Sequence, residues 1–149
     1  MSRSRLPLSF EDMTKTILAL CLLMGITRLD AQVAVIGNKS VPVDSIAKIA
    51  LVDLYLLDVT KWGDGSPAIV KDLKQKGVVR DGFYDYLGKS SSRLKTIWMG
   101  KMLTGELDPP EALRTEEEML SKVAATPGAI GFLSLTKTND SVKVLLIIN

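Results

Sequence analysis

The sequence predicts an α/β fold in which helices pack on a sheet, and three observations carry that reading. Short segments rich in β-branched and small residues recur at 33–37, 68–70, 129–135 and 142–148, with Gly, Pro, Asn or Asp beside them, the signature of strands between turns. Between these segments apolar residues return at helical spacing. One helix start is explicit, because Thr115 with Glu118 three residues on forms a capping box.

The 149 residues give room for one ordinary domain. With 46% hydrophobic and 24% charged residues, and no Pro/Gly/Ser tract, the composition is that of a folded globular chain. The net charge of +2 comes from 19 basic and 17 acidic side chains interleaved along the sequence, so no basic patch points to nucleic acid. Histidine is absent and Cys21 is the one cysteine. That removes Ser-His-Asp and Cys-His catalysis, zinc sites and intrachain disulfides together. No catalytic residues, metal or cofactor are expected, and the chain is read as a non-enzyme.

The N-terminal residues 1–31 read as a secretory signal. Ile17 to Ile26 is an apolar run with Arg3, Arg5 and Lys15 upstream and Arg28 to Ala31 downstream. It is too short for a hydrocarbon core about 30 Å thick, which needs roughly 20 apolar residues, so an exported or periplasmic protein is expected rather than an integral membrane one. Cleavage after Ala31 leaves a second segment, 32–149, beginning at Gln32. Met13 offers a second start, because Glu11 and Asp12 are unusual in a charged signal N-region. Lipidation of Cys21 asks for a small residue where Leu20 stands. The alternative of a buried amphipathic helix asks for one apolar face, and the run is apolar on all of them.

The remaining elements follow in order. Val33 to Gly37 reads as a strand running into the loop Asn38, Lys39, Ser40 and Pro42. Asp44 or Ser45 is expected to cap a helix carrying Ile46, Ile49, Leu51, Leu54, Tyr55 and Leu57. The segment Lys61-Trp62-Gly63-Asp64-Gly65-Ser66-Pro67 is a turn, Ala68 to Val70 a second strand, and Lys71 to Gly77 a polar loop. Val79, Phe83 and Leu87 mark a helix ending near Gly88. A second begins at Ser90 to Ser92, with Leu94, Ile97, Trp98 and Met102 on one face, and these two helices are expected to meet around a shared aromatic contact. The capped helix at Glu116 to Glu118 has acidic residues where the helix dipole favours them and runs to Pro127-Gly128. Two strands close the chain, the last apolar enough to be covered on both faces. The expected order is β, α, β, α, α, α, β, β.

Several ordered landmarks carry a family resemblance. They are the Asn38-x-x-x-Pro42 loop, WGDGSP from Trp62 to Pro67, the helix with Arg80, Phe83 and Tyr84, and Leu87-Gly88-Lys89-Ser90. The Trp98 helix then leads to Thr104-Gly105 and Pro109-Pro110, and EEEMLSKVAATPGAIGFLS runs from Glu116 to Ser134. Over Val33 to Ser134 the chain resembles the substrate-binding proteins of phosphate ABC transporters, in particular short single-domain members. The resemblance implies a single lobe of the class II periplasmic-binding-protein type, a mixed sheet with helices packed on it. It also implies binding of phosphate or a similar oxyanion, and a membrane permease or envelope protein as partner. In the family a Gly-Ser or Ser-Gly-Thr element precedes the Arg-x-x-Phe helix. This chain has Lys76-Gly77-Val78 there, without a hydroxyl.

The candidate ligand residues are Asn38, Ser40, Lys76, Gly77, Arg80 and Ser90. Gly77 and the amides after it offer an anion cradle at a helix N-terminus, with Lys74, Lys76 or Arg80 as charged donors. A solvated basic loop is the competing reading. Asn38 and Ser40 lie at the end of the first strand, a usual place for ligand contacts in α/β sheets, against ordinary turn chemistry. Ser90 is a candidate oxyanion contact, and equally an N-cap. Trp62 and Trp98 are expected as packing anchors. The function expected is an exported, non-catalytic binding protein, with a ligand-free interaction or scaffold protein of the cell envelope as the alternative. A homodimer is a further possibility, because two single lobes rebuild a cleft.

Overall fold

The computed structural model describes residues 9–23 and 32–149, which fall in two compact units, Met1–Asp30 and Ala31–Asn149. In the first unit, helix α1 spans Phe10–Leu23. Its start is organised by Ser9, whose hydroxyl donates to Asp12 Oδ2 at 2.8 Å. Phe10, Met13, Ile17 and Leu18 are exposed. At 1.5 Å per residue these 14 residues extend about 21 Å. Among the described residues no helix is long and apolar enough to cross a membrane. The cleavage position after Ala31 and the side chain of Cys21 lie outside the described residues.

The second unit is α/β. Its elements are β1 (Val33–Gly37), α2 (Lys48–Tyr55), β2 (Ile69–Leu73), α3 (Val78–Leu87), α4 (Ser91–Leu103), β3 (Glu111–Leu113), α5 (Glu116–Ala125), β4 (Ala129–Ser134) and β5 (Lys143–Ile148). The five strands form one mixed sheet in the order β3-β2-β4-β1-β5. β2 pairs in parallel with β3 and β4, while β1 runs antiparallel to both β4 and β5. All five residues of β1 are buried, as the second strand from the edge of a covered sheet requires.

Side chains of β4 alternate between the faces and so join two helical layers. Phe132 stacks on Phe83 of α3, with centroids 3.7 Å apart and planes 6° from parallel, and Tyr55 of α2 meets Phe83 edge-on at 4.8 Å. On the other face α5 lays Met119 and Val123 against Gly131. The polar tips of the aromatics are satisfied. Tyr55 Oη donates to Lys71 O at 2.8 Å and Trp98 Nε1 to Tyr55 O at 2.7 Å.

Several expected elements differ in detail. Helix α2 begins at Lys48 with Ala47 at its N-cap position and no side-chain cap. Asp44 accepts instead from Lys143 Nζ, at 3.1 Å. The expected polar loop from Lys71 is the second half of β2. Lys71 is buried because its ammonium pairs with Glu111 Oε2 at 2.6 Å, and Asp72 because it accepts from Tyr84 Oη at 2.6 Å. Glu111 stands in β3, a three-residue strand absent from the expected order.

Leu94 and Trp98 of α4 are buried, whereas Met102 is 39% exposed. The aromatic contact of α3 is with α2 and β4, and α4 is tied to α2 through Trp98. β5 lies at an edge with Val144 and Ile147 exposed, not covered on both faces. Its register shifts between Val35 and Ile36, leaving Leu145 as the extra residue of a bulge.

Candidate functional site

The C-terminal ends of β2, β3 and β4 lie at one end of the sheet, where α/β folds place ligands. β2 leads through Lys74, Gln75 and Lys76 to Gly77, which has φ 144°, a conformation that favours glycine, and ends the loop where α3 begins. No side chain caps α3, and its first helical hydrogen bond is Asp81 N to Gly77 O at 3.0 Å. The amides of Val78, Val79 and Arg80 therefore have no acceptor among the described residues. Such amides and the helix dipole form the electropositive end of α3.

A cavity of about 130 Å³ opens there, lined by Leu73, Gln75 to Arg80 and Glu116. Arg80 is held in place at one edge. Its Nε donates to Leu73 O at 2.8 Å and its guanidinium carbon lies 5.0 Å from the centroid of the Tyr84 ring. The other guanidinium N–H groups remain to act as donors. Behind it Tyr84 Oη donates to Asp72, which is 2% exposed. Burial holds the Asp72 carboxyl above its ordinary range, against the opposing hydrogen bond from Tyr84 and the charge of Arg80. Burial likewise pushes the Tyr84 hydroxyl up, and the neighbouring Asp72 charge adds to the effect.

Glu116 is the residue that sequence reasoning missed. The sequence places it in the acidic first turn of a capped helix with the dipole as its role, yet it is buried and accepts from Ser134 N at 2.6 Å and Lys137 Nζ at 3.0 Å. The carboxylate thus ties the start of α5 to the end of β4 while lining the cavity. Only the three-residue distance to a cap signals a helix start there, and nothing in the local pattern announces Ser134 as a partner.

The candidate residues divide between separate places. Lys76, Gly77 and Arg80 line one cavity. Asn38 and Ser40 follow β1, and because β1 runs antiparallel they sit at the opposite end of the sheet, beside the start of β4. Asn38 Nδ2 donates to Val123 O and Ala124 O, both at 2.9 Å, and its Oδ1 accepts from Ser40 N at 2.9 Å. Ser40 Oγ accepts from Gly128 N at 2.9 Å. Both side chains bind the turn between α5 and β4. Ser90 is the N-cap of α4, its hydroxyl accepting from Arg93 N at 3.1 Å. It lies beyond the far end of α3, about 15 Å along the helix from Gly77.

The fold of the Ala31–Asn149 unit has solved counterparts. The fold is a single periplasmic-binding-protein-like lobe. A Clostridium perfringens protein assigned as a phosphate ABC transporter substrate-binding protein, solved with bound phosphate, superposes with a TM-score of 0.63 at 21% identity. The match covers 77% of this chain and 45% of that one. An ABC-type phosphate transport receptor from Vibrio cholerae gives 0.61 at 19%, covering 77% and 46%. A Planctomyces limnophilus protein assigned to phosphate binding gives 0.56 at 14%, covering 94% and 49%. The lobe thus spans about half the length of the solved chains it matches. No protein-family model matches the chain, and no curated protein matches it by sequence. Among the described residues of the lobe no group of three or more acidic or thiol ligands is placed to hold a metal.

Proposed function

We propose that this chain is an exported, non-catalytic binding protein whose Ala31–Asn149 unit takes phosphate or a similar oxyanion at the N-terminus of α3. The observation that carries the reading is the set of free amides at Val78, Val79 and Arg80, opening into a cavity beside the Arg80 guanidinium. Backbone N–H groups at a helix start, joined by a charged fork, form a sound oxyanion cradle without a hydroxyl. Export rests on the basic residues and apolar run before Gln32, and the partner implied is a membrane permease. With a lobe about half the length of the solved neighbours, a second copy of the chain is the natural source of an opposing wall.

Calorimetry and thermal melting with phosphate, sulfate and molybdate test the site. A ligand at 100 times its Kd stabilises the protein by about 2.7 kcal/mol, and Arg80→Gln should weaken that response at least tenfold. No heat and no stabilisation with any of the three sinks the oxyanion reading. N-terminal sequencing of the secreted protein tests the leader, with Gln32 expected first, and light scattering tests the dimer.

A second reading, a ligand-free scaffold or interaction protein of the envelope, is favoured by Glu116, a carboxylate in the wall of the proposed anion cavity. Recovery of a stable envelope partner by crosslinking, with no oxyanion response, selects it.

A further inference from the structure

A second cavity, of about 280 Å³, opens between the loop before α2, α2 itself and the Trp62 turn. Buried Ile46, Leu54 and Trp62, with exposed Val59 at the rim, give it an apolar wall. Two charged residues belong to the same lining, Asp53 on α2 and Lys61 on the turn. Among the described residues neither side chain makes an ion pair, although Lys71, Lys101, Lys122, Lys137 and Lys143 all do.

The wall is fixed before any ligand arrives. Trp62 Nε1 donates to Gly128 O at 2.9 Å and Trp62 N to Ser66 O at 2.8 Å. The carbonyl of Asp53 accepts from Asp58 N at 3.1 Å and Val59 N at 3.3 Å, which holds the end of α2 against the segment carrying Val59. A preformed, mostly apolar cavity with a few polar groups is the usual form of a small-molecule site, and the ordering left to oppose binding is chiefly that of the exposed Lys61 side chain.

We propose that this cavity binds a small zwitterion with an apolar body, of the apolar amino-acid class. Its ammonium pairs with Asp53, its carboxylate with Lys61, and its side chain packs on Trp62. Charge complementarity selects the class, because a ligand with one charge leaves the other residue unanswered. Size agrees, since at ~30 Å³ per water-sized group the cavity takes roughly nine non-hydrogen atoms. The site is separate from the α3 cradle. Trp62 hangs on Gly128 at the start of β4, and the cradle faces Ser134 at its end, about 17 Å along the strand.

Calorimetry on the full chain with L-leucine, isoamylamine and 4-methylpentanoate tests the proposal. L-leucine should bind, with the amine and the acid each at least tenfold weaker. Asp53→Asn and Lys61→Met should each weaken leucine at least tenfold while leaving any phosphate response as in the parent, so failure of this site is distinct from failure of the cradle. Should either variant unfold, Ala50→Leu narrows the same cavity from an exposed helix position and should abolish binding. Absence of leucine binding at millimolar concentration overturns the proposal, as does binding of either singly charged probe as tightly as leucine, or undiminished leucine binding by the folded variants.

Discussion

The indole N–H of Trp62 donates to the carbonyl of Gly128 at 2.9 Å, joining positions 66 residues apart. Gly128 meets this bond from a left-handed conformation, φ 76°, and its amide donates to Ser40 Oγ. One residue thus anchors the tryptophan turn, the loop after β1 and the start of β4.

Gly128→Ala should cost about 3 kcal/mol or more, since a Cβ there meets the carbonyl oxygen of Pro67 and the conformation itself is strained for an L side chain. Trp62→Phe should cost about 1 kcal/mol by removing one of the two donors to the Gly128 carbonyl, the other being Ile69 N at 3.1 Å, and by narrowing the contact. Urea unfolding measures both.

Asn38→Ala should destabilise by about 2–3 kcal/mol, because the buried carbonyl of Val123 and the partly buried carbonyl of Ala124 lose their donor and Ser40 N its acceptor. Asn38→Asp should be no better, replacing that donor with an acceptor opposite the carbonyls of Val123 and Ala124. Oxyanion affinity at α3 should be unchanged in any variant that folds, since Asn38 stands at the other end of the sheet.

Asp72 imposes a pH dependence of opposite sign to that of an ion-paired carboxylate. Its folded pKa is raised by burial, so the folded state holds the proton more tightly than the unfolded chain. This contribution to stability is fully present below the ordinary carboxylate pKa and is lost as pH rises through the raised one. Subtracting the stability curve of Asp72→Asn from that of the parent isolates it, and the difference should fall with rising pH across that window. Tyr84→Phe should move the window upward, since it removes the hydrogen bond that favours the carboxylate.

What was legible in the sequence had local causes. The Thr115 cap, with Glu118 N donating to its hydroxyl at 3.1 Å, the Ser90 cap and the glycine stop at Gly88 each act within four residues. What was not legible had distant ones. Lys71 and Asp72 read as loop because their partners, Glu111 and Tyr84, lie 40 and 12 residues away. Glu116 read only as a first-turn acid favoured by the helix dipole because its acceptor role serves Ser134, 18 residues on. The cradle was visible as Gly77 before Arg80, while the direction of β1, which separates Asn38 from it, is a property of the sheet and of no segment.

Glu111→Gln should cost about 1 kcal/mol, because Glu111 is half exposed and screened while its partner Lys71 is buried. The Lys71 ammonium beside it holds the Glu111 carboxyl below its ordinary range. The stability from this pair is present above the ordinary pKa and lost as pH falls through the lowered one. The variant should therefore resemble the parent in acid and fall behind it near neutrality, by denaturation at the two pH values.

The position of β1 governs when this sheet can exist at all. Val33 pairs with Ser134 on one side and with Ile148 on the other, so the first strand of the lobe waits for the last two to be synthesised. Loop closure over a hundred residues must precede any gain from those ladders, which makes folding slow and late. Until β5 has emerged from the ribosome the sheet is incomplete, because β1 still lacks the partner of one of its two edges.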